Sequence, residues 1–342
     1  MNLGIDLGTS RIVICDPARG VVLDEPSVIA VSEKDGHVIA FGTEAAEMLG
    51  RNPDSIRVVR PVKNGVIAEY EQAEQLLRCC LAKVCSARIT KPCVAVSVAE
   101  EVTEVEQRSF IEAVVSAGAR RVTLVPETVA AAIGAGIDVA QPLGQMIVNA
   151  GGGTVDASVL SLKGEAASST IRVAGQAMDE AIVRYMRAKY GLLISEQTAE
   201  RIKMEVGCAL PVEPMLATTA KGRNSMTGLP CMVTVTSDEV CEAISEPLRD
   251  MMELIQQVLE VTPPELAGDI IAEGIWLTGG LAGLRQLPLL VERTTGIACR
   301  VAEDAHRCVA MGAGAALKYA SSFSAVYDLG SFSYRLSDKV TN

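Results

Sequence analysis

An α/β protein of two domains built on one local plan is what this sequence predicts, and three observations predict it. The chain has 342 residues, enough for two domains that each bury a core of their own. Aromatic residues make up 3% of it and apolar residues 49%. The cores are therefore Ala, Val, Ile and Leu, the composition of buried strands covered by helices and not of an aromatic-rich β-sandwich. Third, one short motif occurs twice: residues 3–15 read LGIDLGTSRIVIC and residues 146–160 read MIVNAGGGTVDASVL.

Each copy runs from an apolar strand through a polar residue and a glycine-containing turn with threonine into a returning strand, the pattern of a β-hairpin. Asp6 aligns with Asn149, Leu7 with Ala150 and Gly8 with Gly151. Glycine lets backbone come within hydrogen-bonding reach of a ligand, and successive N–H groups form an anion nest. Two such hairpins, with Thr9 and Thr154 as phosphate-facing hydroxyls, can grip one polyphosphate from both sides. Further along, EQTAERIKMEVG at 196–207 predicts a helix with Glu200 and Lys203 on one face. IIAEGIWLTGGLAG at 270–283 predicts an apolar strand ending in Thr278-Gly279-Gly280, followed by the helix-like LRQLPLLVERTTG. Ligands of open α/β sheets bind beyond such strand ends. No Walker loop, G-x-S-x-G elbow or H-E-x-x-H helix occurs in the chain.

Charge excludes some partners. Asp and Glu number 42 against 31 Lys and Arg, a net charge of −11, and no basic run of five appears. Nucleic acid is thereby excluded as a partner. An anionic membrane repels the average face of such a protein, so membrane contact needs inserted apolar groups. The ten cysteines form no Cys-x-x-Cys pair and the two histidines stand far apart, so no zinc spacing can be drawn. Cys15 and Cys93 sit in apolar runs and read as small buried hydrophobes. Cys79, Cys80 and Cys85 are the one candidate redox cluster. With no signal-peptide pattern and no apolar run of eighteen, the expectation is a soluble, cytoplasmic protein.

Beyond the glycine turns, long segments resemble the MreB family of the actin/Hsp70/sugar-kinase superfamily. They include VVLDEPSVIAV, AEMLGRNPDSIRVVRPVKNGVIAEYEQAEQLL, EVTEVEQRSFIEAVVSAGARRVTLV and AAAIGAG. MDEAIVRYMRAKYGLLISEQTAERIKMEVG, TPPELAGDIIAEGIWLTGG and VAEDAHRCVAMGAGAAL continue the match, which covers residues 1–317 without large gaps. The resemblance implies a duplicated actin-like, ribonuclease-H-like fold: two domains, each a mixed sheet flanked by helices, with a nucleotide cleft between them. Domain I (1–142) would comprise IA at 1–31, 65–142 and 305–335 with IB at 32–64. Domain II (143–304) would comprise IIA at 143–180 and 243–304 with IIB at 181–242, and 318–342 would form a C-terminal tail.

The resemblance also implies ATP or ADP with Mg²⁺ as cofactors. Thr9, Ser10 and Arg11 occupy the first phosphate turn, and Gly151, Gly152, Gly153 and Thr154 the second. Glu200 and Lys203 match a nucleoside-contacting pair, and Gly279, Gly280, Leu281 and Ala282 an adenosine turn. Asp6 and Asn149 stand where the family holds the metal through water. Glu127 falls where it places a glutamate that orients the attacking water, so Glu127, Asn149 and Thr154 are the catalytic candidates. Departures cluster here: Asn149 replaces the usual Asp, and Pro126-Glu127-Thr128-Val129 replaces Glu-Glu-Pro-Met. Arg11 replaces Asn, Leu281 replaces a glycine, and Ala174-Gly175-Gln176-Ala177 replaces Gly-Gly-Asp-Glu. Binding needs the backbone cradle, which is mostly kept, whereas hydrolysis needs placed carboxylates, which are reduced. The expectation is a divergent paralogue that binds nucleotide and hydrolyses it slowly.

The function implied is a nucleotide-dependent filament that scaffolds cell-wall synthesis and determines cell shape. Its implied partners are copies of itself in protofilaments, an MreB paralogue, membrane proteins of the cell-wall elongation machinery and, weakly, an anionic membrane surface at the inner face of the cell membrane. Two elements are candidates for membrane contact. The loop at 85–92 offers Ile89, whose burial is worth about 1.5–3 kcal/mol, marginal for one subunit but additive along a filament. In the tail, Tyr319, Phe323 and Tyr327 recur at helical spacing, making Phe323 and Tyr327 candidates, while Phe332, Tyr334 and Leu336 alternate as in a strand. The alternative is that the tail packs back on IA. The competing functions are a non-polymerising Hsp70-like ATPase, for which the chain is short, and a sugar-kinase-like phosphotransferase, against which Asn149 argues.

Overall fold

The computed structural model describes residues 1–85 and 91–318, and the backbone of 325–328 and 333–336. The chain divides into two compact units, one of residues 1–142, 160–164 and 302–342, the other of 143–159 and 165–301.

The first unit opens with β1 (Asn2–Leu7), β2 (Arg11–Asp16) and β3 (Gly20–Pro26), an antiparallel meander. A small antiparallel sheet follows, of β4 (Ile29–Ser32), β5 (Val38–Phe41) and β6 (Ile56–Val59), with α1 (Thr43–Met48) between its last two strands. After the short pair β7 (Val62–Lys63) and β8 (Val66–Ile67), α2 (Tyr70–Cys85) leads to β9 (Cys93–Val98). Next comes α3 (Glu104–Ser116), started by a capping box in which Thr103 and Glu106 satisfy each other's backbone N–H groups. β10 (Arg121–Pro126) and α4 (Glu127–Gly134) complete this stretch. β9 lies parallel to both β1 and β10. Buried on both faces, these strands are near-continuous apolar runs, and Leu3, Ile5, Val94, Val96, Val122 and Leu124 join Leu76, Leu77 and Phe110 of the helices in one core.

The second unit repeats the plan. β11 (Gln145–Ala150), β12 (Val155–Ser161) and β13 (Gly164–Ile171) stand in the same order as β1 to β3. α5 (Gly175–Tyr190) ends on the left-handed Gly191, a common helix stop. β14 (Leu192–Leu193), α6 (Glu196–Val206), β15 (Ala217–Asn224) and β16 (Pro230–Thr236) make a small three-stranded sheet with a helix. α7 (Ser237–Ala243), α8 (Ser245–Val261) and α9 (Pro264–Glu273) lead back to β17 (Ile275–Thr278). A 3₁₀ turn at Gly280–Gly283, α10 (Leu287–Thr295) and β18 (Cys299–Val301) close the unit. The sheet order β13-β12-β11-β17-β18 matches β3-β2-β1-β9-β10 strand for strand, and β17 runs parallel to β11 and β18 as β9 does to β1 and β10. The fold is α/β and actin-like, with a mixed sheet in each unit.

The chain then returns to the first unit. α11 (Cys308–Ala316) is a helix of small residues, and β19 (Ala325–Asp328) and β20 (Ser333–Leu336) extend its sheet beyond β10. Tyr327 therefore lies in a strand paired to Val122, not on the helix that its spacing from Tyr319 and Phe323 suggests: strand addition to the open edge of β10 overrides a three-residue period. Of the alternation read at 332–336, Tyr334 and Leu336 fall on β20 and Phe332 lies outside the described residues. Ile89 and Phe323 lie outside the described residues. Among the described residues no helix is long and apolar enough to cross a membrane.

α11 packs backbone to backbone. A Cβ on Gly312 would lie 1.7 Å from the Ala130 carbonyl oxygen, one on Gly134 1.9 Å from that of Cys308, and one on Gly4 2.2 Å from that of Ala310. No side chain can yield at such contacts. Gly312→Ala is expected to destabilise the protein by about 3 kcal/mol, the upper range for overpacking. Gly268→Ala on α9, where a Cβ meets nothing within 4 Å, is expected to stabilise it by up to about 1 kcal/mol through helix propensity. Urea unfolding of the two variants checks both signs.

Candidate functional site

In each unit the predicted residues gather at the carboxyl ends of parallel strands. In the first, Asp6 stands near the end of β1, Ser97 lies near the end of β9 and Glu127 follows β10 as the first residue of α4. In the second, Asn149 stands near the end of β11 beside Thr278, its register partner at the end of β17. This is the edge at which open α/β sheets take ligands.

The two glycine turns close identically. Gly8 N–H donates to the Arg11 carbonyl at 3.0 Å, and Gly151 N–H to the Thr154 carbonyl at 2.9 Å. In both, two further carbonyls face protein. Ser27, fully buried, donates its hydroxyl to the Gly8 carbonyl at 2.7 Å and its N–H to the Ser10 carbonyl at 3.0 Å. The first N–H groups of α5 do the same for the second turn: Gly175 donates to the Gly151 carbonyl at 3.2 Å and Gln176 to that of Gly152 at 2.8 Å. Those helix donors would otherwise be orphaned, because Ala174 offers no side-chain cap. Among the described residues no acceptor faces the N–H groups of Thr9 and Ser10, or of Gly152 and Gly153. Each turn therefore presents backbone donors, and the second has the positive end of the α5 dipole behind it.

Several side chains are engaged otherwise than the sequence suggested. Thr9 Oγ1 accepts the Gly65 N–H at 3.1 Å, so the hydroxyl anchors β8's turn while its own proton stays available. The Arg11 guanidinium turns to Asp24, with Nε to Oδ1 at 2.7 Å, and contributes its carbonyl to the turn. Arg307 and His306 approach the same Asp24 carboxylate at 3.1 and 3.6 Å, and its hydrogen bonds to the two arginines hold its pKa below the usual value against the opposing effect of burial. Lys203 Nζ donates to the Gly175 carbonyl at 2.8 Å and pairs with Asp179 at 2.8 Å, which fixes an ammonium beside the second turn. Glu200, half-buried, is one helical turn earlier on α6.

Burial governs the metal-side candidates. Asp6 is pushed up to about 7, first by desolvation and further by the Asp24 charge, while the Ser97 hydroxyl, 3.4 Å from Oδ1, pulls the other way. Asn149 is 3% exposed and its Oδ1 accepts the Thr278 hydroxyl at 3.2 Å. Thr128, next to Glu127, gives both its N–H and hydroxyl to Glu100, which caps α4. Leu281 and Ala282 are buried, so the replacement of glycine by Leu281 is absorbed inside the protein while Gly280 stays exposed.

Ser27, Asp24, Glu100 and Asp179 support the site and were not singled out from sequence. All act across the fold, at separations that carry no periodic signal. In the candidate cysteine cluster, burial pushes Cys80 up to about 12 and raises Cys79.

Gly279 is the steric hinge of the second unit's site. Its φ is +83° and a Cβ there would lie 2.3 Å from the Ala150 carbonyl oxygen, directly before the second turn. Gly279→Ala is expected to cost about 3 kcal/mol through strain and overlap together. Gly280→Ala, with nothing within 4 Å, is expected to leave stability unchanged in the same denaturation assay.

The chain can be set against known proteins. The family model described as MreB/Mbl protein matches residues 1–325. The cell shape-determining protein MreB of Escherichia coli K12 is 44% identical over 323 residues, 93% of each chain. The cell shape-determining protein Mbl of Bacillus subtilis 168 is 41% identical over 317 residues, 92% of this chain and 95% of that one. Among solved structures, MreB5 of Spiroplasma citri bound to AMPPNP superposes with a TM-score of 0.88 at 32% identity, over 94% of this chain and 96% of the other. The same protein bound to ADP superposes equally well. The MamK double helical filament, at 21% identity and a TM-score of 0.79, shares the fold. Neither the chaperone nor the sugar-kinase alternative is favoured by these relatives. A match this long, on a duplicated sheet with paired glycine turns, places the chain in the MreB/Mbl family.

Proposed function

We propose that this protein is a nucleotide-dependent, actin-like filament protein that scaffolds cell-wall synthesis and determines cell shape, and that its ATP hydrolysis is weakened. The observation that carries the reading is the pair of turns closed by the same hydrogen bond, each with two further carbonyls engaged and two N–H groups left as donors. Relatives named for cell-shape determination, and a structural neighbour bound to AMPPNP and to ADP, support it.

On this reading the donors of Thr9, Ser10, Gly152 and Gly153 hold phosphate oxygens, with Thr154 beside them. Lys203 adds positive charge, and Glu200 with Gly279, Gly280, Leu281 and Ala282 receives the nucleoside. Mg²⁺ fits the donor set, which is all oxygen. Asp6 is a carboxylate whose charge its surroundings disfavour, and a cation would offset that. Asp6 and Asn149 would hold the ion through its waters, and the ion would supply charge neutralisation at the phosphates. Glu127 orients water at the head of α4. The four-part division into IA, IB, IIA and IIB follows the same reading, with the small sheets β4–β6 and β14–β16 as the cores of IB and IIB. The partners proposed are further copies of the chain, a paralogue and membrane proteins of the elongation machinery, with the filament peripheral to the inner face of the cell membrane.

Asn149 sets the rate. Its amide oxygen accepts hydrogen bonds as a carboxylate does, so binding is retained. It carries no charge and takes up no proton, and general-base help is worth roughly 10²–10⁴-fold. Asn149→Asp is therefore expected to raise phosphate release by about tenfold or more above the critical concentration. Equal rates in the two proteins would remove the claim of a weakened site. Assembly is tested separately by sedimentation: the protein pellets with ATP and Mg²⁺ and stays in the supernatant without them, and nucleotide-independent behaviour contradicts the proposal.

A further inference from the structure

Two of the ten cysteines meet in the second unit, beside the elements that carry the nucleoside-site candidates. Cys208 follows α6 and is fully buried, and Cys241 lies half-buried on α7. The Cys208 thiol donates to the Ser237 carbonyl at 3.4 Å. Ser237 is the first residue of α7, and Cys241 stands one turn later. Helical side chains lean towards the helix N-terminus, so the Cys241 sulfur lies over the turn that Cys208 touches. The two thiols accordingly share a hydrogen bond.

Cys208 also sits at a joint. α6 carries Glu200 and Lys203 and ends at Val206. Cys208 pairs with Arg285 in an isolated parallel bridge, and Ala209 N–H donates to the Arg285 carbonyl at 2.8 Å. The Arg285 guanidinium returns to the carbonyls of Met204 and Gly207, each at 3.4 Å. The joint has little slack: a Cβ on Gly207 would lie 2.3 Å from the Lys203 carbonyl oxygen and 3.2 Å from Leu284. Residues 207–209 thus stitch the end of α6 to the chain that follows the 3₁₀ turn at Gly280–Gly283.

Unequal access assigns a role to each sulfur. Cys241 is open to a solute, whereas Cys208 lies behind it at 0% exposure. When Cys241 ionises, the Cys208 thiol stabilises the resulting thiolate. Burial nevertheless pushes Cys208 up to about 11 and raises Cys241 as well. Both are therefore thiols at neutral pH, and exchange is slow. A half-buried nucleophile backed by a resolving thiol suits closure under a sustained oxidising load.

We propose that Cys208 and Cys241 form a redox-active dithiol, which a low-molecular-weight disulfide converts to an intramolecular disulfide that weakens nucleotide binding. Cys241 gives its proton to solvent, and its thiolate attacks one sulfur of the small disulfide. That S–S bond breaks, one half leaves and takes up a proton, and the other half stays on Cys241 as a mixed disulfide. Cys208 then loses its proton, attacks the Cys241 sulfur and displaces the second half as a thiol. Two protein thiols are oxidised, and one small disulfide is reduced to two thiols. The sulfurs draw from hydrogen-bond contact to roughly 2 Å. Cys208 is pulled towards α7, and the strain falls on its bridge to Arg285 and so on the setting of α6 against the turn. The effect on nucleotide rests on the function proposed above; formation of the bond does not.

Oxidised glutathione is the probe, applied to the full chain in mildly alkaline buffer. Free thiols are then blocked and the peptides mapped by mass spectrometry. A cross-link between Cys208 and Cys241 is expected as the principal protein disulfide. Cys208→Ser is expected to hold glutathione on Cys241 instead, and Cys241→Ser to leave Cys208 unmodified. Absence of the cross-link in the wild type, whether or not other cysteines take up glutathione, would overturn the dithiol. Trp276 fluorescence then measures affinity for ADP with Mg²⁺. It is expected to fall about fivefold or more on oxidation and to recover with dithiothreitol. Cross-linked protein that is folded by circular dichroism yet keeps its affinity would overturn the coupling to nucleotide. Reduced protein that binds no nucleotide would contradict the functional reading, and the peptide map would still decide the dithiol.

Discussion

The constraint on which the site depends is that two carbonyl oxygens flanking the tip of each glycine turn are engaged inside that turn's own unit. Ser27 holds those of Gly8 and Ser10, and the first N–H groups of α5 hold those of Gly151 and Gly152. What each turn then offers at its tip is N–H groups, and a row of N–H groups selects anions. The second turn and α5 satisfy each other: the helix loses its orphan donors, and the turn loses carbonyls that would repel phosphate. Gly279 and Gly175 keep that arrangement tight. A Cβ on either would come within 3.4 Å of the turn's own backbone or the strand residue preceding it.

The departures from the family pattern look different in this light. Gly-Gly-Asp-Glu has become Ala174-Gly175-Gln176-Ala177, yet the two residues that donate to the turn do so through backbone, which survives the change. Leu281 is buried and leaves Gly280 exposed. Arg11 is drawn aside by Asp24, itself shared with Arg307 and His306. Asn149 stays in hydrogen-bonding register with Thr278. Each change spares the backbone cradle. On the proposed reading, the one that would remove chemistry is the loss of a carboxylate at 149.

Much of this was legible in the residues. The near-repeat of 3–15 and 146–160 gave the duplication, and the aligned pairs Asp6 with Asn149 and Gly8 with Gly151 fall at equivalent places in two sheets of the same strand order. The helix read at 196–207 is α6, and the strand read up to Thr278 is β17. Local patterns encode local structure, and these are local. What stayed hidden was the partner of each polar side chain: Arg11 with Asp24, Thr9 with Gly65, Lys203 with Asp179 and Thr128 with Glu100 are separated by between 13 and 56 residues. The tail misled for another reason. A three-member helical period at 319–327 is weaker than the free edge of β10, which takes 325–328 as a strand.

The central claim is that a kept backbone cradle binds nucleotide although the hydrolytic carboxylates are reduced. Trp276, the only tryptophan, reports on it directly. It lies on β17 two residues before Thr278, with the Arg300 guanidinium 5.4 Å from its ring centroid. Titration with ATP or ADP in the presence of Mg²⁺ is predicted to give a saturable change in its fluorescence below millimolar nucleotide, of similar affinity in wild type and Asn149→Asp. A flat titration to millimolar nucleotide, with the protein shown by circular dichroism to be folded, would contradict the account.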